Sequence, residues 1–108
     1  MSLFEKTKDA MMSRDGAAMI ACYHDDFEFV RHQTGTSMNK AEMAKLIDGF
    51  MAGDWQTSEP RCLYENDELM VSHAIMHFPD GTKEAVLSVH ILKDGLIFRT
   101  ETGATLVD

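Results

Sequence analysis

Two Asp-Gly pairs, Asp80-Gly81 and Asp94-Gly95, each stand between runs of apolar residues in the second half of the chain. Asp-Gly adopts the backbone angles of a tight hairpin, and the flanking runs supply strands for it to join. This dictates an antiparallel meander. Leu69 to Phe78, Ala85 to Leu92 and Leu96 to Thr102 are its long strands. Arg61 to Tyr64 precedes them, across the polar turn Glu65-Asn66-Asp67-Glu68.

Before Pro60 the pattern is mainly helical. Ser2-Leu3-Phe4-Glu5 reads as a capping box, and Leu3, Phe4, Thr7, Ala10 and Met11 recur at helical spacing. Ser13-Arg14-Asp15-Gly16 interrupts this helix, and Asp15 can cap a second one bearing Ala18, Met19, Cys22 and Tyr23 on one face. Phe27 to Gln33 reads as a strand. Asn39-Lys40-Ala41-Glu42 repeats the capping-box pattern, and Met43, Leu46, Ile47, Phe50 and Met51 form the strongest apolar stripe, stopped at Gly53. Three helices ahead of a meander define an α+β fold, expected as one domain over residues 1–108.

A formal net charge of -8 repels phosphate, which argues against nucleic acid and anionic membrane as partners. Cys22 and Cys62 form neither a CxxC pair nor a zinc-type spacing, and each is expected as a small buried hydrophobe. The start, MSLFEKTKDA, has no basic segment followed by an apolar one, and no apolar run is long enough to span a bilayer. The expected setting is the cytoplasm. Neither a Gly-rich phosphate loop nor a nucleotide-binding fingerprint is present, so no cofactor is implied.

Side chains alternate between the faces of a strand. A two-residue loop at Asp80-Gly81 would place His73 opposite Ser88 and Val71 opposite His90. One face then carries Leu69, Val71, His73, Ile75, His77, Glu84, Val86, Ser88, His90 and Leu92. The other carries Met70, Ser72, Ala74, Met76, Phe78, Ala85, Leu87, Val89 and Ile91. Three short helices cover one face only. The face that mixes histidines with aliphatics is the better pocket wall. The uniformly apolar face suits a twofold homodimer, unless a deeper intrachain core covers it. On the last strand, a three-residue loop at Lys93-Asp94-Gly95 turns Phe98, Thr100 and Thr102 inward. A two-residue loop turns Arg99 and Glu101 inward instead; the first is preferred because it buries Phe98.

The order of elements resembles the SnoaL-like, nuclear-transport-factor-2-like superfamily. The resemblance is carried by Ala21-Cys22-Tyr23-His24-Asp25-Asp26-Phe27-Glu28-Phe29 and by the turn Lys93-Asp94-Gly95-Leu96-Ile97. It implies a cone, also called cystatin-like, in which a curved sheet wrapped by helices encloses a central pocket. It also implies a choice of activities, since ketosteroid isomerases, polyketide cyclases, dehydratases and proteins that only bind or dimerise share the fold. The isomerase residues are not matched: its tyrosine falls near Thr7, its aspartate base near Arg31 and its second aspartate near Ser88. An arginine cannot act as a base at neutral pH.

His73 and His90 are the candidate catalytic residues, diagonal neighbours in the expected register and able to move a proton near neutral pH. The alternative is a hydrogen-bonded pair without catalytic role. Ser88 lies beside them. Arg31, expected inward from the first strand, either clamps an anionic group or bridges to Glu59, Glu65 or Glu84. Phe27, Phe29, Phe50, Ile75, Phe98 and Thr100 complete the expected ligand lining. Trp55 either flanks the ligand or packs in the core. His24-Asp25-Asp26, and His77 with Glu84, lack a recognised ligand spacing, so no metal is expected. The chain is thus expected to hold a small, mostly apolar ligand with a polar or anionic end. The alternatives are a cofactor-free isomerase, cyclase or dehydratase, or an interaction module.

Overall fold

The computed structural model describes residues 2–107; Met1 and Asp108, the ends of the expected domain, lie outside them. The order is α1 (Leu3–Met12), α2 (Gly16–Ile20), β1 (Tyr23–Arg31), β2 (Thr36–Asn39), α3 (Lys40–Ala52), β3 (Gln56–Glu65), β4 (Leu69–His77), β5 (Lys83–Lys93) and β6 (Leu96–Val107). One six-stranded sheet runs in the order β2-β1-β6-β5-β4-β3. Its pairings are antiparallel except β1 with β6, which is parallel. The α+β cone, a curved sheet against three helices, is the observed architecture.

Each helix starts on the residue its sequence offers for the purpose. Ser2 accepts from the Glu5 N–H at 3.1 Å and Asp15 from Ala18 at 3.0 Å. Asn39 and Glu42 form a reciprocal capping box. The Leu3 N–H at the start of α1 donates to the Glu65 carboxylate of β3 at 3.1 Å, tying helix to sheet. At the other end of the helical layer, Arg14 closes α3. Its guanidinium donates to the carbonyls of Phe50, Met51, Gly53 and Trp55 at 2.6–3.1 Å, groups that a helix end leaves unpaired. Gly16 lets α2 approach α3 closely, because a Cβ there would stand 3.4 Å from Asp48 and under 4 Å from Ile47 and Met51. The core between layers is built on Cys22, Tyr23, Phe27, Phe29, Ile47, Met70 and Ile97.

Four expectations need correction. Tyr23 begins β1 instead of ending a helix, because the second helix stops at Ile20. β2 was not expected, and β3 starts at Gln56, passing Pro60 through a bulge in which Glu59 takes φ 53°.

The third correction concerns the β4–β5 turn. Phe78 N–H donates to Thr82 at 3.0 Å and Gly81 takes φ 89°, so Pro79-Asp80-Gly81 is a three-residue loop. Ser72 therefore lies opposite Ser88, and His73 opposite Leu87. The one-residue shift sends β4 side chains to the faces opposite those expected. Met70, Ser72, Ala74 and Met76 share the helix-side face with Val86, Ser88 and His90, while Val71, His73, Ile75 and His77 join Leu87 and Val89 on the far side.

The last turn supplies the fourth correction. Asp94 and Gly95, at φ 56° and 76°, form a two-residue turn, the loop that was expected to bring Arg99 and Glu101 inward. A bulge intervenes: Leu92 pairs with Ile97 but Ile91 with Arg99, leaving Phe98 as the extra residue. The bulge restores Thr100 and Thr102 to the inside, and Phe98 itself is displaced.

Candidate functional site

Sheet and helices enclose a mostly apolar cavity of about 290 Å³. α1 supplies Phe4, Thr7, Lys8 and Met11, a stripe at helical spacing, and α3 supplies Met43, Leu46, Ile47 and Phe50. The register sets the depth of each wall residue. Tyr23 pairs with Ile97, and Ile97 with Leu92, at the closed end. Phe29 pairs with Thr100, and Thr100 with His90, one inward step further out. Arg31 pairs with Thr102, and Thr102 with Ser88, one step beyond that. Glu84 and Gln33 lie nearest the mouth, their side chains 3.5 Å apart. Trp55 stands between Phe50 and Phe78, with ring centroids at 5.8 and 5.0 Å.

His90 is the polar centre of the inner half. Its Nδ1 lies 2.7 Å from the Thr100 hydroxyl and its Nε2 3.4 Å from that of Ser72. Burial lowers its pKa from the ordinary 6.5 to about 4, so the ring is neutral near pH 7. One nitrogen then donates and the other accepts. Tyr23, 3% exposed, also lines the cavity, and burial holds its phenol protonated by raising its pKa.

Phe29, Arg31, Phe50, Trp55, Ser88, His90 and Thr100 are thus brought to one cavity. Other expected site residues fall elsewhere. Phe27 is 2% exposed and packs edge-on against Tyr23 in the core. Ile75 turns to the far face with β4. Phe98 packs against His24 and under the Lys93 ammonium, at 5.2 and 5.1 Å. His73 borders the cavity wall but belongs to the far face, between Arg61 and Leu87. The two histidines are therefore not brought together. Their separation follows from the single extra residue in the Pro79-Asp80-Gly81 loop.

Arg31 forms no ion pair with a described carboxylate. Glu65 is engaged at the start of α1, and Glu84 faces Gln33. Lys8 is likewise without a carboxylate partner among the described residues. The charged side chains expected in the last strand are spent outside: Arg99 pairs with Glu28 and Glu101, and Glu101 receives His32 at 2.7 Å. The His32 and Arg99 hydrogen bonds lower the Glu101 pKa. His77 bonds Ser58 at 2.8 Å, on the face away from Glu84. Among the described residues no group of three or more His, Cys, Asp or Glu side chains is placed to hold a metal ion.

Sequence reasoning missed Tyr23, Ser72 and Lys8. Tyr23 was placed on a helix and Ser72 on the wrong face. The signal for Lys8 was present in its spacing from Phe4 and Met11.

No curated protein matches the sequence. Solved structures resemble the fold. A provisionally named ketosteroid isomerase from Kribbella flavida superposes with a TM-score of 0.82 at 19% identity, covering 98% of this chain and 77% of that one. An NTF2-like protein of unknown function from Mesorhizobium loti gives 0.82 at 11%, covering 95% and 88%. An LEH-like epoxide hydrolase from M. tuberculosis gives 0.71 at 15%, covering 95% and 80%. Identities this low speak for the fold alone. The sequence model of the SnoaL-like domain matches residues 4–100, and the chain belongs to that family.

Proposed function

We propose that the protein binds a small, mostly apolar molecule with an anionic end. The observation that carries this reading is the charge inside the cavity. The chain as a whole carries a formal -8, yet the lining offers two cations without carboxylate partners, Arg31 and Lys8, against one carboxylate, Glu84. Cations at an apolar cavity favour an anion there, and guanidinium grips a carboxylate through paired hydrogen bonds. A volume of about 290 Å³ stands at the small end of the range for ligand sites. Octanoate is a suitable probe, and Trp55, the sole tryptophan, reports its entry by fluorescence. Octanoate is expected to bind more tightly than octanol, and Arg31→Ala to weaken octanoate about tenfold with little effect on octanol. Equal binding of the two probes, or no change in Arg31→Ala, overturns the reading.

The acid–base enzyme is the second reading, supported by a histidine beside hydroxyls in the cavity. A pKa near 4 leaves His90 a weak base at neutral pH, which disfavours it as a general base and suits it to neutral hydrogen bonding. If the protein is catalytic through His90, its rate should fall on a limb near pH 4 rather than 6.5.

We also propose a homodimer through the far face of β4 and β5, where Leu87 and Ile91 are 43% and 39% exposed. The two cysteines are free thiols, in keeping with a reducing cytoplasmic setting. No helix among the described residues is long and apolar enough to cross a membrane.

A further inference from the structure

The closed end of the cavity has a polar group that the protein itself does not use. Tyr23 is 3% exposed, yet its hydroxyl makes no hydrogen bond with any described residue. Every fully buried side-chain nitrogen and oxygen among the described residues does have a partner. The Tyr23 hydroxyl therefore keeps contact with open space, and the space beside Tyr23 is the cavity. A phenol held this deep gains a hydrogen bond only if something in the cavity accepts it.

The chemistry around it restricts what that acceptor is. Tyr23 stays protonated because burial raises its pKa, and burial keeps His90 neutral. The inner wall otherwise consists of Phe29, Ile97, Met70 and the paired hydroxyls of Ser72 and Thr100. No charged strand residue of the lining stands at this level, so an ion placed here would lose water without gaining a counter-charge from the sheet. An uncharged oxygen, a hydroxyl or a carbonyl, loses little and gains the Tyr23 donor. The Arg31 guanidinium belongs to a different level of the sheet. Arg31 is level with Ser88, two residues along the strand from the His90 level, or ~7 Å at the usual rise. The Tyr23 level lies about as far again on the other side.

We infer that the cavity has two separate polar stations, and that its ligand is a hydroxy- or oxo-carboxylic acid with an apolar spacer. The carboxylate meets Arg31 and the uncharged oxygen meets Tyr23. The inference rests on the reading of the cavity as a site for an apolar anion, and names the second group of that ligand.

The test compares octanoate with ω-hydroxyoctanoate, followed by Trp55 fluorescence and by calorimetry, in the wild type and in Tyr23→Phe. The ω-hydroxy acid should bind about fivefold more tightly to the wild type. Tyr23→Phe should erase that advantage while leaving octanoate affinity unchanged. Its thermal midpoint should equal or exceed that of the wild type, since the lost hydroxyl has no protein partner. If octanoate binds through Arg31 but the ω-hydroxyl adds nothing, or still adds in Tyr23→Phe, the deep station is overturned and the anion site stands. A marked fall in the thermal midpoint would show a structural hydrogen bond and overturn it as well. If octanoate does not bind, the underlying reading fails with it.

Discussion

Between about pH 6.5 and pH 4 the unfolded chain takes up a proton at residue 90 that the folded chain refuses. The folded pKa lies below the unfolded one, so the unfolded state binds more protons in that interval and stability falls as pH drops through it. The full shift corresponds to roughly 3 kcal/mol at one histidine. His90→Gln, which keeps hydrogen-bonding capacity towards Thr100, should flatten this part of the stability curve in urea unfolding across the interval. An unchanged slope would mean that other groups dominate acid sensitivity. Arg14 makes a separate prediction. Arg14→Met removes the donors to four carbonyls in and just beyond the last turn of α3, and should cost about 2 kcal/mol in the same assay. Residues such as Phe29 and Arg31 were legible because strict alternation along β1 fixes their side. Arg14 was not, since nothing local to Ser13-Arg14-Asp15 marks a side chain that reaches from one helix junction to the end of another.

At the scale of elements, composition located the hairpins and left their loop lengths open. Asp80-Gly81 and Asp94-Gly95 look alike in sequence, yet the first closes a three-residue loop and the second a two-residue one. The choice depends on which pairing buries the better set, which is a tertiary matter. Met70, Ala74 and Met76 against the helices, with Val71 and Ile75 outside, is the set the fold adopts. The alternation along β4 is apolar on both faces and offers no local preference. The outer face retains Leu87, Val89 and Ile91, so the proposed interface keeps its apolar β5 residues after the exchange of β4 residues. Leu87→Lys should convert the proposed dimer to a monomer in native mass spectrometry without lowering the unfolding midpoint of the monomer. A wild type that is itself monomeric would remove this face as an interface.

At the scale of the whole molecule, the helix-then-meander order made the α+β cone readable, and the parallel contact of β1 with β6 did not follow from it. That contact joins residues more than 70 positions apart, and no local pattern encodes it. It also makes the cavity, because it aligns Tyr23, Phe29 and Arg31 with Ile97, Thr100 and Thr102. The alignment is conditional on Phe98 standing out of the ladder. The bulge there absorbs the odd residue between a two-residue turn and a strand that must show its threonines inward. Deleting Phe98 would remove the bulge and leave the register as it stands: Arg99 would follow Ile97 directly opposite Ile91, and Thr100 and Thr102 would stay opposite His90 and Ser88 in the cavity. Such a variant should keep octanoate binding. Adding one residue beside Phe98 would act as a frameshift in three dimensions: with the turn and the one-residue bulge intact, every later β6 side chain would exchange sides, and Arg99 and Glu101 would enter the cavity with their charges. That variant should lose octanoate binding and unfold at much lower urea, because position 98 is the one residue the ladder leaves uncounted.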